Sequence, residues 1–247
     1  MTGLDLGASL KGRVVVVTGA AGAIGSKVAL ALDEAGVRVL AVDLPGRTPP
    51  HLRSGAPASY DLVDVGGHED LFEHARALGE VVGLVHTAAI IRRSAVDEVT
   101  EEDFDTQVAV NLKATYFLNR QAWRTMRSVG RGSIVNYVSQ GWMSGGYQGS
   151  IVYAATKGAV TSMTRGFARS FAPDGVRVNA VSPGYVDTEM LREGVSPEDR
   201  QRLVDEVPLG RLADPDDLVG ATVFLLSDAA SYITGAVINV SGGQLMY

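Results

Sequence analysis

The sequence predicts a doubly wound α/β fold, in which helices cover both faces of one parallel sheet. Short runs rich in Val, Ile and Leu recur along the chain, and helix-like stretches fill most of the gaps between them. The runs lack the polar alternation of a half-exposed strand, and strands buried on both faces are typical of parallel sheets. The predicted strands cover residues 14–17, 37–42, 58–63, 81–86, 133–138, 176–181 and 236–240.

Composition narrows the possible functions. The chain has 247 residues, of which 46% are hydrophobic and 20% charged, so we expect one soluble globular domain over 1–247. A net charge of −6 disfavours non-specific nucleic-acid binding, and no apolar run approaches the length of a membrane span. The absence of cysteine excludes disulfides, thiolate metal sites and a Cys nucleophile. We therefore expect a cytoplasmic protein with a small-molecule partner, which binds neither nucleic acid nor a membrane.

The first predicted strand runs directly into a glycine-rich turn and then a helix-like stretch. The turn reads TGAAGAIG at 18–25, and the helix-like stretch covers 26–35. Glycines let a backbone approach a pyrophosphate closely, and a helix N-terminus offers it unpaired N–H groups. This placement predicts a dinucleotide site, with a plain strand-to-helix turn as the alternative. Gly19 and Gly22 lie three apart, which differs from the commoner fingerprint.

Asp43 ends the second predicted strand, about 20 residues after the glycine turn. A carboxylate at this place accepts hydrogen bonds from the adenosine ribose hydroxyls and repels a 2′-phosphate. The predicted cofactor is therefore NAD rather than NADP. The presence of Arg47 a few residues later favours NADP instead. The alternative reading of Asp43 is an ordinary solvated loop residue without a role in cofactor binding.

Tyr153 and Lys157 lie four residues apart in YAATK, at the start of a helix-like run that reaches residue 172. Residues at this spacing share one helix face. A free phenol has a pKa near 10, and a neighbouring ammonium favours the phenolate, so the pair suits a general acid/base. Taken alone, such a pair is more often an incidental feature of an exposed helix.

Ser139 follows the predicted strand 133–138, at the sheet edge where ligands bind in such folds. Its hydroxyl could stabilise charge that develops on a carbonyl oxygen, although a Ser at this place can also simply cap a strand. A nucleophilic role is disfavoured because VSQGW is not a nucleophile elbow. The four histidines lack the spacing of metal ligands, so we expect no metal site.

The ordered motifs are TGAAGAIG at 18–25, Asp43, Asn111, Ser139, YAATK at 153–157 and NAVSPGYVDT at 179–188. Together they resemble the short-chain dehydrogenase/reductase family, over essentially the whole chain. The resemblance implies a Rossmann-like single domain that binds NAD. It also implies a catalytic tetrad in which Asn111 orders a relay water and Lys157 both lowers the pKa of Tyr153 and holds the nicotinamide ribose.

The same resemblance implies which residues bind the cofactor. They are Gly19, Ala20, Gly22, Ile24, Gly25, Asp43, Asp64, Val65, Thr87, Ala88, Tyr153, Lys157, Pro183, Gly184, Val186 and Thr188. The chain departs from the family pattern at 86–89, where HTAA stands in place of NNAG, and at Ala23, where a glycine is usual. These departures leave the side-chain roles at 86–89 open.

The polar stretch 184–210, which is predicted to be helical, resembles the family's mobile substrate loop. Substrate contacts are predicted at Gln140, Tyr147 and Tyr185, with Ile91, Trp142, Met190 and Leu191 as further pocket candidates. The IIRR stretch at 90–93 resembles sugar-acid and polyol members, in which an Arg can meet a carboxylate; surface arginines are the alternative. The C-terminal segment resembles one that is often buried in a homotetramer.

We therefore expect an NAD-dependent enzyme that interconverts a secondary alcohol and a ketone, with a polyol, a sugar acid or a cyclic alcohol as substrate. One alternative is a 3-oxoacyl-[acyl-carrier-protein] reductase, which PLGRL at 208–212 also resembles and against which Asp43 argues. A different class of protein is a non-catalytic NAD-binding regulator, which the complete tetrad disfavours.

Overall fold

Seven parallel strands form one sheet in the computed structural model, which describes residues 6–147, 149–193 and 195–247. Their order across the sheet is β3-β2-β1-β4-β5-β6-β7. This arrangement confirms the predicted doubly wound α/β fold. The strands are β1 Val14–Thr18, β2 Arg38–Asp43, β3 Ala56–Ser59, β4 Val81–His86, β5 Gly132–Tyr137, β6 Val176–Pro183 and β7 Val237–Val240.

Helices cover both faces of the sheet. They are α1 Ala23–Glu34, α2 His68–Leu78, α3 Glu101–Val108, α4 Ala114–Met126, α5 Gly141–Ser144, α6 Ile151–Phe171, α7 Glu189–Arg192, α8 Pro197–Asp205 and α9 Val219–Leu226. Within the described ranges, no helix is both long enough and apolar enough to cross a membrane.

The core lies in two layers, one on each face of the sheet. Val15 and Val17 of β1 pack with α1 and α9, whereas Val14 and Val16 pack with α2 and α4. Successive side chains of a strand point to opposite faces, so a strand covered on both faces is apolar at every position. This is the physical reason for the uninterrupted valine run in the sequence.

The strand order reverses at β1: β2 and β3 lie on one side of β1, and β4 to β7 follow on the other side. β1 pairs with β2 on one side and with β4 on the other, which places Thr18 opposite His86. The carboxyl ends of β1, β4 and β5 therefore border one crevice, where doubly wound folds bind their ligands.

The third strand was predicted wrongly beyond its first two residues. Residues 58–63 were expected to be extended, but β3 ends at Ser59. The side chain of Asp61 accepts a hydrogen bond from the backbone of Val63 (3.0 Å), and Asp64 accepts one from Gly66 (3.0 Å). Such aspartate turns compete with strand pairing, and they take the chain away from the sheet.

The helical stretch that contains α3 and α4 is interrupted between them by a π-helical turn, Ala109–Lys113. Turns of this kind widen a helix locally and are frequent at functional sites. The stretch 184–210 contains the short helices α7 and α8, in agreement with its predicted helical character.

Candidate active site

The glycine turn between β1 and α1 leaves no room for a side chain at Gly19 or Gly25. Gly19 has φ +70°, and a Cβ there would lie 2.7 Å from the backbone nitrogen of Ala88. A Cβ on Gly25 would lie 2.2 Å from the carbonyl oxygen of Gly19. α1 begins after Gly22 with no side-chain cap and no acidic residue in its first turn, so its positive end fits a pyrophosphate. Two further predicted residues pack into the core behind the turn: Ala20 and Ile24.

One carboxylate lies beside this turn, and a second lies after β3. Asp43, at the end of β2, accepts hydrogen bonds from the backbone nitrogens of Ala21 and Leu44, both at 2.8 Å. Its contact with Ala21 ties the end of β2 to the glycine turn. Asp64 is exposed and caps the 3-10 turn Val65–Gly67. Asp43 therefore borders the crevice where β2 ends, and Asp64 lies in the turn that follows β3.

Thr87 supports the glycine turn from β4. Its hydroxyl donates to the carbonyl oxygen of Thr18 (2.7 Å), and its backbone nitrogen donates to the same oxygen (3.2 Å). Ala88 follows and packs against the core cluster beneath α2 and α4. Thus one of the two polar side chains in the HTAA segment holds the turn that the resemblance assigns to the pyrophosphate.

His86 connects the glycine turn to the π-helical turn. Its Nδ1 lies 2.7 Å from the Thr18 hydroxyl and its Nε2 lies 2.9 Å from the Thr115 hydroxyl, which donates to the carbonyl oxygen of Asn111 (2.7 Å). Because the single Thr115 proton is used in this way, Nε2 must carry the imidazole proton and Thr18 must donate to Nδ1. Burial, aided by the charge of Lys157, lowers the pKa of His86 to about 3, so the ring is neutral.

Asn111 is buried within the π-helical turn and uses its side chain to hold the segment after β4. Its Oδ1 accepts from the backbone nitrogen of Ile90 (2.9 Å), and its Nδ2 donates to the carbonyl oxygen of Ile90 (2.8 Å). Nδ2 also lies 3.3 Å from the Thr156 hydroxyl on α6. The side chain therefore joins three segments around the crevice.

Ser139, Tyr153 and Lys157 meet where β5 ends and α6 begins. The Ser139 oxygen accepts from the backbone nitrogen of Gly141 (3.1 Å), and the Ser139 side chain is hydrogen-bonded to the Tyr153 phenol. Lys157 is buried, its Nζ donates to the carbonyl oxygen of Tyr137 (2.8 Å), and it lies 5.6 Å from the Tyr153 ring centroid. The three predicted side chains are thus brought together.

The segment after β6 packs beside the end of β7. Pro183 ends β6, and a Cβ on Gly184 would lie 2.9 Å from the Cα of Ser241. Val186 forms an isolated parallel bridge with the chain ahead of α9, and the Thr188 side chain caps α7. The backbone of this segment is therefore held by close packing against the C-terminal part of the chain.

The predicted substrate residues fall into two groups. The rings of Tyr147 and Tyr185 meet edge to face at 6.1 Å, and the Tyr185 hydroxyl donates to Glu206 (3.0 Å), also in the stretch 184–210. Gln140 is buried and faces the C-terminal segment instead, because its Nε2 donates to Oδ1 of Asn239 (2.9 Å). Its amide nitrogen is therefore engaged within the protein, whereas its Oε1 is buried and has no hydrogen-bond partner among the described residues.

Comparisons with known proteins agree with this geometry. Residues 19–244 match a family model described as Enoyl-(Acyl carrier protein) reductase. The chain is 34% identical to 2-dehydro-3-deoxy-D-gluconate 5-dehydrogenase of Dickeya dadantii, over 96% of this chain and 97% of the relative. It is 33% identical to a 3-oxoacyl-[acyl-carrier-protein] reductase of Thermotoga maritima, over 96% and 99% of the two chains.

The chain belongs to the short-chain dehydrogenase/reductase family. A solved structure from Beutenbergia cavernae, described as a "putative NAD(P) dependent gluconate 5-dehydrogenase" with NADP bound at low occupancy, superposes with a TM-score of 0.86. It is 36% identical and covers 96% of this chain and 98% of its own. The protein is therefore an oxidoreductase that acts on CH–OH or C=O groups, as the sequence predicted.

The acid-base properties of this dehydrogenase/reductase differ from the sequence-based expectation. Burial raises the pKa of Tyr153 to about 12, and the Ser139 hydrogen bond and the charge of Arg93 offset only part of this rise. Burial also lowers the pKa of Lys157 to about 8, and its ammonium is directed to a backbone carbonyl. In the protein alone, Lys157 therefore does not produce the expected low phenol pKa. A further positive charge in the crevice, such as that of oxidised nicotinamide, would favour the phenolate.

Two side chains around the site were not assigned from the sequence. His86 was noted only as a departure from the family pattern, since its partners lie 68 and 29 residues away. Arg93 was not distinguished from Arg92, although only Arg93 affects the pKa of Tyr153. No group of three or more His, Cys, Asp or Glu among the described residues could hold a metal ion.

Proposed function

We propose that this dehydrogenase/reductase uses NAD to interconvert a secondary alcohol and a ketone on a small molecule, with Tyr153 as the general acid/base. The observation that carries the proposal is the half-buried Tyr153, whose phenol is hydrogen-bonded to Ser139 and which lies one helical turn from Lys157. When bound, NAD supplies the group that accepts the hydride during oxidation. Favoured substrates are polyols, sugar acids and cyclic alcohols.

The protein groups have separate roles in this proposal. During oxidation Tyr153 removes the proton of the substrate hydroxyl while Ser139 holds its oxygen, and in reduction Tyr153 returns the proton. Lys157 holds the nicotinamide ribose. Asn111, whose side chain is fully engaged, contributes through its backbone and orders a relay water.

The proposal for NAD rests on Asp43. Its carboxylate lies against the glycine turn, where it would accept from ribose hydroxyls and repel a 2′-phosphate. The segments that we propose for cofactor binding are the turn from Gly19 to Gly25, Asp43, Asp64 with Val65, Thr87 with Ala88, and the stretch from Pro183 to Thr188. A higher kcat/KM with NAD than with NADP is the expected result, and a preference for NADP would refute this cofactor assignment.

A Tyr153→Phe variant tests the mechanism. Loss of the phenol hydroxyl should lower kcat by about 10³-fold or more, because general acid-base catalysis is worth about 10²–10⁴-fold. Binding of NAD, measured by calorimetry, should persist. Retention of turnover in this variant would refute the role of Tyr153.

A 3-oxoacyl-[acyl-carrier-protein] reductase is the second candidate, because relatives with that name are about as similar as the sugar-acid and polyol dehydrogenases. Asp43 argues against it, since such enzymes usually take NADP. A scan of polyols, sugar acids, cyclic alcohols and hydroxyacyl thioesters with both cofactors would separate the two. NAD binding without turnover of any of them would favour a non-catalytic NAD-binding protein.

We also propose a cytoplasmic homotetramer, which several large exposed apolar side chains would help to bury. They are Phe104, Tyr116, Ile151, Tyr232 and Met246. Light scattering should give about four times the 26.0 kDa chain mass. A monomer in that measurement, or activity confined to a membrane or secreted fraction, would contradict this part of the proposal.

A further inference from the structure

A series of hydrogen bonds, called here the His86 link, joins the glycine turn to the π-helical turn. It begins at Thr18, the first residue of the glycine turn, whose hydroxyl donates to Nδ1 of His86 (2.7 Å). Nε2 of His86 donates to the Thr115 hydroxyl (2.9 Å), which in turn donates to the carbonyl oxygen of Asn111 (2.7 Å). The His86 link therefore crosses from β1 through β4 to the segment that carries Asn111.

Further hydrogen bonds continue from Asn111 to the helix that carries the predicted acid/base pair. Nδ2 of Asn111 donates to the Thr156 hydroxyl (3.3 Å), and this hydroxyl donates to the carbonyl oxygen of Tyr153 (2.7 Å). The glycine turn is thus connected to Tyr153 through an uninterrupted series of partnered residues.

Every member of the His86 link is buried and has its partners within the protein. Thr18 and Asn111 are fully buried, and Thr115 and His86 are nearly so. None of their side-chain polar atoms is among the buried atoms without a hydrogen-bond partner in the described part of the chain. A buried polar series in which every group is satisfied is rigid, and removal of one member leaves its neighbour unpaired. The His86 link can therefore hold two turns in a fixed relation.

Two ring nitrogens let His86 hold both threonine hydroxyls at once. An Asn side chain, which is usual in the family at this place, ends at the δ position; it can replace Nδ1 toward Thr18 but does not extend to Thr115. A Gln side chain ends at the ε position, so it can replace Nε2 toward Thr115 but leaves Thr18 without its acceptor. The two halves of the link can thus be removed separately.

We propose that His86 is a positioning residue for the reaction, which fixes the π-helical turn through Thr115 and the glycine turn through Thr18. The inference rests on the proposed function, in which the Asn111 backbone orders a relay water and the glycine turn holds the cofactor. The Thr115 half of the link sets the direction of the Asn111 carbonyl group, so its loss should lower kcat. The Thr18 half supports the glycine turn, so its loss should weaken NAD binding.

Two substitutions of His86 separate these effects. The substrate is whichever polyol, sugar acid, cyclic alcohol or hydroxyacyl thioester wild type turns over fastest with NAD. His86→Asn should lower kcat by about 10–10²-fold, because a misplacement of about 1 Å can cost about 10²-fold. His86→Gln should raise the calorimetric Kd for NAD by about 3–10-fold, the range for one net hydrogen bond, and should retain a higher kcat than His86→Asn. The Kd should rise less in His86→Asn than in His86→Gln.

Thr115→Val removes the hydroxyl with little change of shape and breaks the same half of the link as His86→Asn. Its kcat should fall by a similar factor, and the double variant should lose no more than the more damaging single variant, because both break one connection. Thr125→Val is the matched control. Thr125 is buried on the same helix, α4, and its hydroxyl has no hydrogen-bond partner among the described residues, so kcat and Kd should not change.

Hydrogen exchange of the amides of residues 109–113 in the free protein tests the positioning without turnover. Exchange should be faster in Thr115→Val and His86→Asn than in wild type, and unchanged in Thr125→Val. Thermal melts establish that each variant is folded.

Unchanged exchange or unchanged kcat in Thr115→Val would overturn the inference. Equal losses of kcat and NAD affinity in both His86 variants would also overturn it, because they indicate a general structural role. Absence of turnover on every secondary alcohol would instead refute the proposed function, and the exchange rates would still decide whether His86 holds the π-helical turn.

Discussion

The buried His86 should make the stability of this protein depend on pH in a way that one substitution removes. Burial lowers its pKa from 6.5 to about 3, so the folded protein holds the ring neutral where the unfolded chain would protonate it. A histidine with a lowered folded-state pKa contributes its full stability above pH 6.5 and loses that contribution as the pH falls toward 3.

The size of the effect follows from the two pKa values. Between pH 8 and pH 5, protonation of the unfolded state should reduce the free energy of unfolding by about 2 kcal/mol through this one residue. His86→Asn removes the titrating group and places there the amide that is usual in the family. The difference in free energy of unfolding between pH 8 and pH 5 should therefore be about 2 kcal/mol smaller in His86→Asn than in wild type.

Urea unfolding followed by the fluorescence of Trp123 and Trp142, at equal protomer concentration, measures this difference. Contributions from Lys157 and His68, whose pKa values burial also lowers, are common to both proteins and cancel. His51→Asn is the matched control, because His51 is exposed, and it should keep the wild-type pH dependence. Equal pH dependence in wild type and His86→Asn would refute the claim that His86 is held neutral by burial.

Three other predictions follow from the site. Asp43→Ala should lower the NAD to NADP ratio of kcat/KM by at least about tenfold, since it removes the repulsion of a 2′-phosphate, and an unchanged ratio would refute the role of Asp43. Gly25→Ala should abolish NAD binding or folding, because its Cβ would meet the Gly19 carbonyl oxygen at 2.2 Å. In Gly166→Ala the added Cβ would meet no atom within 4 Å, so this variant should stabilise α6 by about 0.5–1 kcal/mol in urea unfolding. The rate of alcohol oxidation should rise with pH, because the phenolate of Tyr153 is the active form and burial raises the pKa of the phenol. A rate that does not change from pH 6 to pH 9 would contradict that role.

Local sequence determined much of the fold and part of the site. Uninterrupted apolar runs indicate strands that are covered on both faces. The turn 18–25 predicts a dinucleotide site because a strand precedes it and a helix follows it. Tyr153 and Lys157 were identified because one helical turn separates them, and helical spacing is a local property. The end of β3 was predicted wrongly because the turn-forming carboxylates of Asp61 and Asp64 competed with an apolar pattern.

Only the tertiary structure decided which polar side chains reach the crevice. The partners of His86 come from β1 and α4, so no local pattern could connect them. Arg92 and Arg93 are equivalent in the sequence, and it is their packing against α3 and α7 that separates a surface ion pair from a charge beside Tyr153. The spacing of Tyr153 and Lys157 alone suggested a lowered pKa for the phenol, but burial raises the pKa of Tyr153 and lowers that of Lys157. Desolvation depends on the whole surrounding fold, so the local sequence does not show it.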